Sequence, residues 1–241
     1  MPSVAELTGL YANFLLNPRS GSGVCETCFT FTEGYARCYV CQHAERTLDV
    51  VAPISYSVAG EQLHHALAGY KRLGGDVARR LQVDIAALLW RYLADHEQCV
   101  AAAAGIRSFP LVTTVPSSSR KRDERHPLQH IVGKIVTPTR DRYERLLTRS
   151  DMPVDDRMIS AEKYLAARKL SSEPVLLIDD TWTTGANAQS AAAALRHAGA
   201  GPIALVVVGR HIKRDWEEND QRLRELPRPF DWARCGWHRP R

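Results

Sequence analysis

With 241 residues, 44% of them hydrophobic and 24% charged, the chain can bury a proper core, as one generous domain or a domain with a small appendage. No stretch approaches the roughly 20 apolar residues that cross a bilayer, and MPSVAELTGLYANFLLNPRS lacks the basic start, apolar run and small-residue cleavage site of a secretory signal; a cytoplasmic protein with no membrane partner is expected. A formal charge of +5 and a pI near 9.0 suit nucleic acid or a polyphosphate, but so mild an excess is common in proteins that bind neither.

Four of the six cysteines, Cys25, Cys28, Cys38 and Cys41, form two CxxC pairs separated by nine residues. Paired knuckles with a tight hairpin through Phe31, Thr32, Glu33 and Gly34 between them suit tetrahedral thiolate ligation of Zn²⁺. Two disulfides, or reduced cysteines without metal, are the competing readings, and a cytoplasmic setting argues against the first. His43 is a substitute ligand or a solvated surface histidine.

Beyond the knuckle, Val50 to Val58 reads as a strand interrupted by Pro53. Glu61 to Tyr70 has helical spacing, with Leu63, Leu67 and Tyr70 on one side and His64 and His65 as surface or satisfied helix positions. Gly74 and Gly75 precede a long amphipathic helix over Asp76 to His96. Phe109 to Val115 is a short β-branched strand ended by Pro116, followed by the polar, basic loop SSSRKRDERHP. Helices are expected near Leu128 to Val136, from Arg140 to Leu147 and around Ala161 to Arg168. A strand at Val175 to Ile178, an alanine-rich helix to Ala198, a Gly199 to Pro202 turn and a strand at Ile203 to Val208 complete the alternation. Strands alternating with helices imply an α/β fold with a mostly parallel sheet flanked by helices.

The stretch VLLIDDTWTTGAN carries the most chemistry. Four apolar residues suit a strand buried on both faces, and a ligand crevice lies beyond the carboxyl ends of such strands, where Asp179 and Asp180 stand. From Thr181 to Ala186 the chain must turn into a helix. The free amides there, with Gly185 allowing close approach and Thr183 and Thr184 adding hydroxyls, can hold a phosphate. Two carboxylates beside a phosphate cradle repel it unless they have another task, and accepting hydrogen bonds from two vicinal ribose hydroxyls is one. A phosphorylated pentose satisfies both halves.

That element strongly resembles the signature of the type I phosphoribosyltransferases, which bind 5-phosphoribosyl 1-diphosphate. Neither the GxxxxGK of a P-loop nor the DxDxT of a haloacid-type phosphatase is present. The CxxC…CxxC knuckle, Tyr70-Lys71 after the first helix, Val115-Pro116 before a basic loop, and DDxxTTG occur in the order seen in the competence-associated ComF family. The resemblance spans most of residues 25 to 209. It implies a phosphoribosyltransferase-like fold with a zinc-binding head, and in some members a role in handling single-stranded DNA. The chain then divides into a knuckle segment at 1–48, a phosphoribosyltransferase-like domain at 49–209 and a basic extension at 210–241.

By this resemblance Asp179 and Asp180 are the ribose-binding acids that also stabilise oxocarbenium character. Thr183, Thr184, Gly185 and Ala186 form the 5′-phosphate loop, with Thr181 beside it as a substrate-binding residue. Ser117, Ser118, Arg120 and Lys121 match the diphosphate loop, with Lys71 reaching the same anion. Mg²⁺ is held chiefly by substrate oxygens. The implied activity is transfer of phosphoribose to a nitrogen acceptor with loss of diphosphate; the alternative is a non-catalytic DNA-handling or regulatory module that binds single-stranded DNA or a protein partner. Arg125 matches a family arginine that Gly-Phe-Asn follows, where this chain has His126, Pro127 and Leu128. The family's Gln and Arg-x-x-Asn element between 148 and 170 is missing. In the tail, Trp216, Trp232 and Trp237 among arginines either stack on single strands or pack onto the body.

Overall fold

The computed structural model describes residues 3–117, 119–155, 157–216 and 218–237. The chain opens with α1 (Val4–Gly9), whose first turn is closed by a reciprocal capping box between Ser3 and Glu6. The knuckle contains α2 (Tyr39–His43) and leads into β1 (Val50–Val58), α3 (Gln62–Arg72) and α4 (Gly75–Ala103). β2 (Leu111–Thr114) is followed by two short helical turns, α5 (Arg120–Asp123) and α6 (Pro127–His130), a π-helical turn at Ile131–Ile135, and α7 (Thr137–Arg140). β3 (Leu147–Arg149), β4 (Tyr164–Ala166), β5 (Val175–Trp182), α8 (Ala186–His197), β6 (Ile203–Ile212) and α9 (Asn219–Arg224) complete the order.

Four strands form one parallel sheet in the order β1-β6-β5-β2. Its period-two alternation divides the core. Leu176 and Ile178 of β5, with Ala204, Val206 and Val208 of β6, join Leu63, Leu67, Ile85, Leu88 and Leu89 of α3 and α4 on one face. Val175, Leu177, Leu205 and Val207 meet Ala188, Ala191, Ala192 and Leu195 of α8 on the other. The alanines bring α8 close to the sheet, as their small side chains allow. Among the described residues no helix is long and apolar enough to cross a membrane.

β1 runs unbroken through Pro53, contrary to the interruption expected from that residue. It is an edge strand with β6 as its sheet neighbour, a position that tolerates a residue without an N–H. The N-terminal segment and the tail cover this edge: the Tyr56 amide donates to the Leu16 carbonyl (3.0 Å), and the Trp237 indole donates to the Val51 carbonyl (2.8 Å).

Two expected helices are not formed. Between Arg140 and Leu147 the chain is mostly extended, because the outer edge of β2 offers hydrogen bonds. The Val112 amide donates to the Arg142 carbonyl (3.0 Å), the Glu144 amide donates to the Val112 carbonyl (2.9 Å), and Tyr143 bridges Val112 in parallel. In place of the helix over Ala161 to Arg168 there is a 3₁₀ turn at Ala161–Lys163 and then β4, antiparallel to β3. The Ala167 amide donates to the Leu146 carbonyl (2.8 Å), extending that pairing. The apolar residues in both stretches are spaced for a helix but are used at a sheet edge.

Candidate functional site

At the carboxyl edge of the sheet a cleft of about 640 Å³ opens between α3, the loop after β2 and the end of β5. Asp179, Asp180, Thr181, Thr183, Lys71, Ser117, Lys121 and Arg125, all singled out in the sequence, line it together. β5 continues to Trp182, so the two acids lie within the strand, and alternation sends them to opposite faces. Asp180 faces α3. The Tyr70 hydroxyl donates to Asp180 Oδ2, Lys71 Nζ lies 2.6 Å from the same oxygen, and His126 Nε2 stands 3.8 Å away. Asp179 shares the α8 face, and its Oδ1 accepts from the Asp180 amide at 2.8 Å.

The two carboxyls titrate in opposite directions. Burial pushes the Asp179 carboxyl up to about 8, and the neighbouring Asp180 charge adds to the effect. Burial also opposes ionisation of Asp180, but the Lys71 and His126 charges and the hydrogen bonds from Lys71 and Tyr70 outweigh it, and its pKa is lowered. Burial lowers His126 against the pull of Asp180 and holds the Tyr70 hydroxyl well above its ordinary value, with the Asp180 charge reinforcing it.

The turn after β5 delivers the helix terminus. Gly185 sits at φ +84° as the residue before α8, and a Cβ there would collide with the buried Trp182 ring. Thr183 and Thr184 are exposed, and Thr184 Oγ1 accepts from the Ala186 amide at 3.3 Å, capping the first turn. Thr184, Gly185 and Ala186 therefore shape the turn behind the cleft wall, while Thr181, Thr183 and Asn187 face the cleft. The loop after β2 is organised by buried Asp123, which accepts from the Ser117 amide (3.0 Å) and pairs with Arg145 (2.7 Å). Arg120 turns away from the cleft lining to pair with Asp151 at 3.0 Å. Ser118 lies outside the described residues.

The four knuckle sulfurs lie within 4.8 Å of one another, with Cys28 and Cys38 Sγ 3.7 Å apart. That separation is far too long for a disulfide and is close to the donor spacing around a tetrahedral ion with bonds of about 2.3 Å, so the group can hold a metal ion such as zinc. His43 is not among these donors; its Nδ1 is 2.8 Å from the Tyr39 carbonyl. Arg210, buried at the end of β6, ties the knuckle to the turn. Its Nε donates to the Cys28 carbonyl (2.7 Å), its Nη2 to Cys28 Sγ (3.7 Å), and its Nη1 to the carbonyls of Trp182 (3.3 Å) and Thr183 (3.2 Å).

No protein-family model and no curated protein matches the sequence.

Several cleft residues escaped the sequence reading. Asn187 is in the first turn of α8, and its Oδ1 is buried without a partner among the described residues. His64 and His211, with ring centroids 5.3 Å apart, line the same cleft together with Arg72 and Arg122. Only the topology, which sets α3 beside the ends of β5 and β6, brings these distant positions together. In the tail, Trp237 packs edge-on against Phe29 and Trp232 lies under the Arg91 guanidinium, whereas Trp216 is 60% exposed. The first two thus belong to the body.

Proposed function

We propose that the protein is a ComF-like phosphoribosyltransferase that binds 5-phosphoribosyl 1-diphosphate and transfers phosphoribose to a nitrogen acceptor with loss of diphosphate. One observation carries this reading: paired acids at the carboxyl end of a central parallel strand lead through a left-handed glycine into a helix N-terminus, all beside a cationic cleft rim. In this reading the α8 end and Thr183 receive the 5′-phosphate. Lys71, Lys121 and Arg125 face the diphosphate, and the acids accept the ribose hydroxyls.

Asp180 keeps one oxygen for Tyr70 and Lys71 and offers the other to the sugar. Its charge, retained at neutral pH, opposes the positive charge that develops at C1 as diphosphate leaves. Mg²⁺ enters with the substrate and neutralises diphosphate charge when bound. The knuckle holds Zn²⁺ in a structural role, and through Arg210 it supports the turn that presents Thr183. A non-catalytic DNA-handling role has less support, because two of the three tail tryptophans are engaged in packing.

Calorimetric titration with 5-phosphoribosyl 1-diphosphate and Mg²⁺ tests the reading. Binding is expected for the wild type and its loss for Asp179→Asn/Asp180→Asn; equal binding by both overturns the ribose assignment. Turnover with ammonia or amine acceptors then tests the transfer step.

A further inference from the structure

The remaining two cysteines converge although 136 positions separate them in the chain. Cys99 lies on α4 three residues after His96, a spacing that puts both on one helical face. The tail returns Cys235 to that face, and one ring nitrogen of His96 and the two Sγ atoms lie within 4.8 Å of one another. His96 is 3% exposed and Cys235 9%.

The histidine is oriented in a specific way. Its Nε2 lies 2.7 Å from the Trp232 carbonyl, an acceptor, so Nε2 carries the proton and Nδ1 the lone pair. Nδ1 is buried and has no partner among the described residues, and neither has the hydroxyl of Tyr92, whose ring centroid is 5.1 Å from that of His96. Buried polar atoms left unpaired are costly and uncommon. A backbone carbonyl holding one N–H of an imidazole that has two thiols within 4.8 Å of a ring nitrogen matches the outer-shell arrangement of a metal-ligating histidine.

We propose that His96 Nδ1, Cys99 Sγ and Cys235 Sγ form a second metal site, distinct from the knuckle, for a thiophilic d¹⁰ cation of the Zn²⁺ class. Two thiolates and an imidazole are the donor set such ions favour, and small side-chain rotations bring the three atoms to bonding distance. Binding releases the thiol protons and ties the C-terminal segment to α4, where Trp232 already docks. A Cys99–Cys235 disulfide is the competing outcome, but it leaves His96 Nδ1 unused.

Native mass spectrometry of the reduced, Zn²⁺-loaded full chain gives the test. Two ions per wild-type chain and one fewer in Cys99→Ser/Cys235→Ser are expected; an equal count in the two overturns the site. The readout is the difference between them, so it does not depend on whether the knuckle is filled. Should the double variant fail to fold, zinc X-ray absorption on the wild type decides: a mixed sulfur and nitrogen first shell supports the site, and a shell of sulfur alone overturns it. Peptide mapping that finds Cys99 joined to Cys235 in the zinc-loaded protein also overturns it.

Discussion

The two walls of the cleft are built on opposite electrostatic terms. On the α3 wall Asp180 is ionised and already paired by the buried Tyr70 hydroxyl and the partly exposed Lys71 ammonium, a preassembled set with His126 3.8 Å away. On the α8 wall Asp179 is raised chiefly by burial, with the neighbouring Asp180 charge adding to it, and the threonines of the turn are exposed. One wall is paired and neutralised, and the other is polar and open. The difference teaches that adjacent identical residues can hold different tasks: a strand sends neighbours to opposite faces, and each face has its own partners.

The largest expected effect comes from the turn that aims the open wall. Gly185→Ala places a Cβ on a residue at φ +84° and against the Trp182 ring. The backbone conformation and the overpacking together are expected to cost about 3 kcal/mol, read as a lower midpoint in urea unfolding. Affinity for the proposed phosphoribosyl donor should fall with it. An unchanged midpoint would mean that Trp182 moves freely, and that the open wall is loosely held.

Substitutions of the two acids sharpen the contrast. Asp180→Ala leaves Lys71 and Tyr70 without their shared acceptor and is expected to cost about 2 kcal/mol. Asp179→Asn removes a carboxylate that burial disfavours and should leave stability at pH 7 unchanged or raise it by about 1 kcal/mol. The signs with pH differ as well. Asp179 has a folded pKa near 8, above its unfolded value of about 3.9, so the folded state holds the extra proton and stability falls as pH rises from about 4 toward 8. Asp180 has a lowered folded pKa, so its contribution is present above about pH 3.9 and is lost as pH falls through the folded value. Unfolding free energies across pH 3 to 9 should show the decline between about pH 4 and 8 flattened in Asp179→Asn and kept in Asp180→Ala.

Much of the scaffold was legible in the sequence, and the reason is periodicity. β5, β6, α3, α4 and α8 are buried on faces that repeat at two or 3.6 residues, and each was placed from the sequence, although β5 and β6 run four residues and α4 seven residues past their expected ends. The cysteine cluster was legible for a different reason, because CxxC spacing constrains sulfurs locally. The stretches 140–147 and 161–168 were misread because Tyr143, Leu146 and Leu147 pack at a sheet edge whose identity depends on β2, far back in the chain. Tyr70-Lys71 could be noted as a pair, but its hold on Asp180 is a long-range contact across 110 positions. The opposite pointing of the acids was missed because β5 was expected to end at Ile178 rather than Trp182.

The smallest expected effect separates cleft from surface within one basic loop. Arg120 and Lys121 are neighbours, yet Arg120 is drawn off by Asp151 while Lys121 lines the cleft. Both partners of the Arg120 pair are well exposed, so screening by water leaves the pair little net value, and Arg120→Ala should change stability by no more than about 0.5 kcal/mol. Its effect on donor affinity should stay within about twofold. Lys121→Ala removes a cation from the rim that faces the diphosphate in the proposed complex and should weaken binding about tenfold, an effect that shrinks as salt is raised. If Arg120→Ala is the more damaging change, the loop must swing on ligand binding, breaking the pair with Asp151 to bring Arg120 over the cleft. The preassembled wall would then be confined to α3, and the loop after β2 would belong with the open one.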